Sequence, residues 1–283
     1  MDTSLPARRL ISAMSEIPNA LPEYGEPSGI KLPYLTPWAL KIVRHFSKGC
    51  VWSAPTREKV VALTFDDGPS TQAMEELLEA LGRHQLKATF FVLGDRIGDA
   101  SPDERRRTAA LLQVVRDGHE IALHGLTHHS LKGLSLELIR REIQEQRKLL
   151  GTLLGPDAAD SIRFLRPPFG RTDKNVLTAL SAENLIAVNA SILPGDAFFP
   201  SGWAELPDRT VARILRELHP GAIICLHVGE NLGLDDKVFN MRHAGQIVNR
   251  LAPRLKEYGY RAATLKELLA DTVPHFQSRA DHP

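Results

Sequence analysis

The sequence predicts an α/β fold of parallel βαβ units closed into a barrel. Seven short apolar runs alternate with longer patterns of helical period, which argues for parallel units rather than an antiparallel sandwich. That alternation fits a doubly wound sheet equally well. The barrel is favoured because Asp66 and Asp67, His124, Arg166 and His227 stand at or just after the C-terminal ends of four different runs.

The chain to about Pro55 is proline-dotted and irregular, with one amphipathic pattern at Trp38 to Phe46. Residues 1–58 are therefore read as an extension packed on the main domain, residues 59–272 as that main domain and residues 273–283 as a tail. The expected strands are Val60–Phe65, Ala88–Val92, Glu120–Leu123, Ile162–Leu165, Leu185–Val188, Ala222–Leu226 and Tyr260–Thr264. Between them the apolar spacing predicts helices over Thr71–His84, Asp103–Asp117, Ser135–Leu154, Lys174–Ala182, Asp208–Leu218 and Phe239–Glu257.

Composition excludes more than it selects. Lys and Arg total 35 against 34 Asp and Glu, so the chain has no electrostatic footprint for nucleic acid or an anionic membrane, and a neutral substrate is expected. Two cysteines, Cys50 and Cys225, do not make a disulfide framework, and Cys225 in the apolar run Ala222–Leu226 reads as a small buried hydrophobe. Met1 to Gly25 holds no sustained apolar segment, so neither a signal peptide nor a spanning helix is read there. The expected location is the cytoplasm, with export by another route or a trimmed leader as alternatives. Oligomeric state is not legible.

Four clusters carry chemistry. Thr64-Phe65-Asp66-Asp67-Gly68-Pro69 ends an apolar run with adjacent carboxylates and then a turn. Neighbouring side chains on an extended backbone point in different directions, so the two need not share a task. Two like charges this close also call for a cation or an arginine. His124 and His128, four residues apart after the third run, can converge on one ion. With Asp67 they make a two-His, one-carboxylate set that leaves positions open for water and substrate. His129 stands one residue off that face. In Arg166-Pro167-Pro168-Phe169-Gly170, two prolines stiffen the chain and leave the Phe169 N–H as a fixed donor, while Arg166 can bind a carboxylate in bidentate fashion. Finally, Leu226-His227 presents an imidazole from an apolar strand.

In order and context these motifs resemble the polysaccharide deacetylase family, the chitin, chitooligosaccharide and peptidoglycan deacetylases of carbohydrate esterase family four. The resemblance spans about Lys59 to Leu269. It implies a distorted (β/α) barrel of about seven parallel strands, a divalent metal, usually zinc with Co2+, Mn2+ or Fe2+ as alternatives, and hydrolysis of N-acetyl groups on an N-acetylated carbohydrate. By motif, Asp67, His124 and His128 would ligate the metal and Asp66 would be the general base, oriented by Arg166. The Phe169 N–H would contact the oxyanion, Pro168, Phe169 and Leu226 would meet the substrate, with Leu226 lining the acetyl pocket, and His227 would be the general acid. Asp196 would partner the arginine.

One stretch departs from the family pattern. Ala190, Leu193 and Ala197 stand where tryptophan, aspartate and tryptophan are expected, which removes flat stacking faces for sugar rings. Phe198, Phe199 and Trp203 are candidate replacements. The departure keeps two other readings open: hydrolysis of a non-sugar amide or O-acetyl ester, and a glycan-binding barrel without turnover. Fe(II) oxygen chemistry on the two-His, one-carboxylate set is a further alternative, which an adjacent base and an acid histidine fit less well than hydrolysis.

Overall fold

The computed structural model describes residues 49–198, 205–229 and 243–270. The helix expected at Trp38 to Phe46, the tail, Phe199, Trp203 and the side chain of Phe198 lie outside the described residues. Among the described residues seven strands form one sheet: β1 (Val60–Gly68), β2 (Thr89–Val92), β3 (Glu120–Leu123), β4 (Phe164–Leu165), β5 (Ile186–Ala187), β6 (Ala222–His227) and β7 (Arg261–Ala263). All pairs are parallel in the order β5-β4-β3-β2-β1-β6, with β7 also on β1. β1 is the hub: Val61 to Asp66 pair with Ala222 to His227, Val60 to Ala62 with β7, and Thr64 to Gly68 with β2.

β5 and β6 do not pair with each other. The seam between them is spanned by isolated bridges, Val51 to Val188, Ser53 to Ala222 and Ile192 to Ile224. The Val51 N–H donates to Ala187 O at 2.8 Å, the Asn189 N–H to Val51 O at 2.8 Å and the Ala54 N–H to Gly221 O at 2.9 Å. Residues 51–54, ahead of the expected start at residue 59, thus strap the barrel shut. Gly221 is required there: φ is +73°, and a Cβ would lie 2.1 Å from Ala54 O.

The helices are α1 (Gln72–Arg83), α2 (Pro102–Arg116), α3 (Leu136–Leu154), α4 (Pro156–Asp160), α5 (Lys174–Ala182), α6 (Leu206–Glu217), α7 (Ala244–Glu257) and α8 (Leu265–Leu268). Polar caps set several starts: Ser101 accepts from the Glu104 N–H, Ser135 from Leu138 and Asp173 from Val176. On α1, Met74, Leu77, Leu78 and Leu81 recur at helical spacing and are buried against the sheet.

Strand alternation divides the core in two. Leu63, Phe65, Phe90, Ile224 and Leu226 pack outward among the helices. Ala62, Phe91, Ala122, Phe164, Ile223 and Cys225 fill the barrel interior. Ala62 and Ala263 pair in register within that interior, and the polar residues stand at the C-terminal ends of the strands.

Candidate metal and acid–base centre

Asp66 and Asp67 enter the same cavity, although strict alternation would separate them. The β1–β2 register shifts between Phe65 and Gly68, and Asp67 takes φ of +69°. Aspartate tolerates this left-handed conformation better than most residues. Both carboxylates are buried.

Asp67 Oδ1 lies 3.2 Å from His124 Nε2 and 3.4 Å from His128 Nε2. It is buried, and among the described residues it accepts no hydrogen bond while His124 Nε2 is unprotonated. Zinc–nitrogen and zinc–oxygen distances of about 2.0–2.1 Å place tetrahedral donors about 3.3–3.4 Å apart, so the triad has the spacing of ligands around one ion. His124 Nδ1 donates to Arg166 O at 2.7 Å, which leaves Nε2 as the lone-pair donor, the arrangement typical of a ligating histidine. Burial pushes Asp67 up, but the bond and charge of His124, with His227 and His128, hold it well below the usual carboxylate range. Burial lowers His128 to about 4, which keeps its imidazole neutral and able to ligate. For His124, burial pulls down while the Asp66 charge and the Asp67 hydrogen bond push up, and the net is upward. A cation in the triad would displace that proton.

The ligand loop is pinned from below by α3. Glu142 Oε1 accepts from the Leu126 N–H at 3.0 Å, and the Gly94 and Asp95 N–H groups donate to Gly125 O and Leu126 O. Gly125 has φ of +98°, with a would-be Cβ 3.0 Å from Thr127 O. Burial pushes Glu142 up to about 7. His129 turns away: it is exposed, its Nδ1 2.8 Å from Thr127 Oγ1.

Arg166 gathers the interior around Asp66. Its Nη1 donates to Asp66 Oδ1 at 2.5 Å and to Thr64 Oγ1 at 2.9 Å. Nε and Nη2 reach Val188 O and Asn189 O, and the guanidinium lies 4.1 Å from the centre of the Phe91 ring. This buried pair is satisfied on both sides, which makes its interior position tolerable. Asp66 Oδ2 is left facing the triad, 4.0 Å from His124 Nε2.

Asp196 sits elsewhere than expected. Rather than bracing Arg166 it holds His227: its Oδ1 lies 3.0 Å from His227 Nδ1, and its Oδ2 accepts the His227 N–H at 2.8 Å. The reason is the seam, where the Ile192–Ile224 bridge carries the following loop across β6 rather than up against β4. Burial lowers the His227 pKa, but the Asp196 charge, helped by Cys225, lifts it well above the ordinary value. Asp196 thus favours the protonated form of His227.

Leu226 is also corrected. It pairs with Phe65 in register, is fully buried and packs outward with the helix layer, so it cannot line a pocket beside His227. The residue that shares the inner face with His227 is Cys225, two positions back, whose Sγ is 3.3 Å from Asp66 Oδ2 and 4.0 Å from His227 Nε2. Burial and the Asp66 charge push its thiol up to about 11. Sequence reasoning missed Cys225, Thr64 and Glu142. Period-two spacing from an inward His227 was the available signal for Cys225.

In the Arg166–Gly170 segment, Pro168 is buried and Phe169 is half exposed, with φ of +60° and its ring centre 4.6 Å from that of His128. The turn's own bonds run from Gly170 to Pro167 and from Arg171 to Pro168. Ala190 and Ala197 are buried and Leu193 half-buried, so these three positions serve packing in the seam and present no flat aromatic face.

The chain is similar to several known proteins. A polysaccharide deacetylase family model matches residues 53–188. A chitooligosaccharide deacetylase of Sinorhizobium fredii is 32% identical over 204 residues, 71% of this chain and 87% of that protein. The solved structure of a peptidoglycan N-acetylglucosamine deacetylase superposes with a TM-score of 0.65 at 25% identity, over 78% of this chain and 92% of its own. An acetyl xylan esterase from Clostridium thermocellum, solved with a cobalt ion, gives 0.60 at 28% identity, over 75% and 91%. By fold, by ordered motifs and by these relatives, the chain belongs to the polysaccharide deacetylase family.

Proposed function

We propose that the protein is a metal-dependent hydrolase that removes N-acetyl groups from an amino-sugar glycan and releases acetate. The observation that carries the reading is the separation of tasks at Asp66-Asp67: one carboxylate faces two imidazoles at ligand spacing, and the other is held by an arginine beside them.

Asp67, His124 and His128 would hold the ion, zinc in this reading. Such an ion acidifies water and polarises a carbonyl oxygen. Asp66, locked through Oδ1 onto Arg166, presents Oδ2 to take the proton of the attacking water. The Phe169 N–H supplies a fixed donor for the oxyanion, and its exposed ring offers a face to a sugar. His227, charged against Asp196, gives its proton to the departing nitrogen from Nε2. Water and amide become acetate and a free amine.

The similarity to a chitooligosaccharide deacetylase supports oligomers of N-acetylglucosamine as substrate. A second reading, an O-acetyl ester, draws on the acetyl xylan esterase likeness and on the packing role of Ala190 and Ala197. Acetate release from chitooligosaccharides and from acetylated xylan, assayed side by side, separates the two. Asp66→Asn is expected to lower acetate release by about 10²–10⁴-fold while the purified protein keeps its metal. Full activity in that variant would sink the reading.

A further inference from the structure

The inner faces of β1 and β6 bring together a second set of metal donors. Register pairs Thr64 with Cys225 and Asp66 with His227, and alternation points Asp66, Cys225 and His227 into one space. One donor atom from each lies within 4.8 Å of the others. Metal–sulfur distances of about 2.3 Å and metal–nitrogen or –oxygen distances of about 2.0–2.1 Å place tetrahedral donors about 3.5–3.6 Å apart. The Sγ separations of 3.3 Å from Asp66 Oδ2 and 4.0 Å from His227 Nε2 bracket that value.

The supporting contacts are also those of ligands. Arg166 occupies Asp66 Oδ1 and leaves Oδ2. Asp196 occupies His227 Nδ1 and leaves Nε2, so a carboxylate orients the imidazole from behind. The group shares no residue with Asp67, His124 and His128. Its sulfur, nitrogen and oxygen donors suit a thiophilic dication such as zinc or cadmium rather than magnesium or calcium.

We propose that Asp66, Cys225 and His227 form a second, thiophilic metal site, filled when zinc or cadmium is in excess, whose occupation silences the enzyme. On binding, the Cys225 S–H and His227 Nε2–H bonds break, sulfur–metal and nitrogen–metal bonds form, and both protons pass to the buffer. The bound ion takes the Asp66 Oδ2 lone pair needed for proton abstraction and the His227 Nε2 position needed for proton donation. The inhibitory half rests on the deacetylase reading. The binding half does not.

The test uses the full chain carrying one equivalent of zinc, titrated with cadmium. Uptake is followed by equilibrium dialysis, the ultraviolet sulfur-to-cadmium charge-transfer band and acetate release. Wild type and Cys50→Ser should take up a further ion with a thiolate band and lose activity over the same concentration range. Cys225→Ala should show no band, with half-inhibition shifted upward by more than about tenfold. A thiolate band that survives in Cys225→Ala, or wild type that binds one ion in all, overturns the site. Should Cys225→Ala fail to fold, the wild-type stoichiometry and band decide alone. A second ion and its band with acetate release unimpaired overturns the inhibitory half. No acetate release before cadmium is added counts instead against the deacetylase reading.

Discussion

The acid role proposed for His227 depends on what stands behind it. Burial makes an imidazole more ready to lose its proton, yet the Asp196 carboxylate at 3.0 Å more than offsets the partial burial of His227 and lifts the pKa well above 6.5. The protonated form is the donor, so activity is expected to persist through neutrality and to fall as pH rises through the raised pKa. Asp196→Asn removes the charge, and the alkaline limb of the kcat profile should move to lower pH. Activity at pH 8 should drop by roughly 10²-fold. A pH–rate profile checks this, and an unmoved limb would reject the role. Residue types were legible at this scale where spacing alone constrains them, as for Asp67, His124 and His128. They were misread where direction matters: Leu226 adjoins the histidine in sequence but faces the opposite side of the strand, and Asp196 chose its partner by a loop path that local sequence does not encode.

The elements that position these residues differ in how plainly they are written. β1 is a run of nine buried residues paired on both edges, and its apolar approach announces it. β4 and β5 are only two residues long, so their expected bounds of four residues overran. Nothing in Val51-Trp52-Ser53-Ala54, between Gly49 and Pro55, marks the strap that closes the seam, because its partners lie more than a hundred residues away. That strap depends on Gly221. Gly221→Ala introduces left-handed strain of about 1–2 kcal/mol and drives a methyl into the Ala54 carbonyl. A loss above about 2 kcal/mol in urea unfolding is expected, together with faster hydrogen exchange at the Ala54 amide. Unchanged exchange there would show that the strap does not need this glycine.

At the scale of the whole molecule, the barrel brings together candidate ligands from β1 and from the loop after β3, so an ion bound there would cross-link distant parts of the chain. An ion that binds only the folded state adds about 2.7 kcal/mol at a hundredfold excess over its Kd. For a domain of this size, that is several degrees in Tm. Chelation should therefore lower the Tm of metal-loaded protein, and added zinc should restore it. In Asp67→Asn the melt should no longer respond to chelator. A wild-type Tm indifferent to chelator would remove the metal from this triad. The barrel itself was legible because alternating periodicities and chemistry at strand ends are global patterns, whereas its seam is a tertiary accident of chain length and path.

The left-handed step at Asp67 acts as a parity switch. Alternation sends successive side chains to opposite faces, and a single residue at φ of +69° reverses the count, so that neighbours in sequence become neighbours in the cavity. Every residue before the step obeys one parity and the turn after it obeys the other. Inserting one residue between Phe65 and Asp66 thus cannot be absorbed as a slip of register: it would turn one carboxylate out among the helices and leave the other alone with both imidazoles and the arginine.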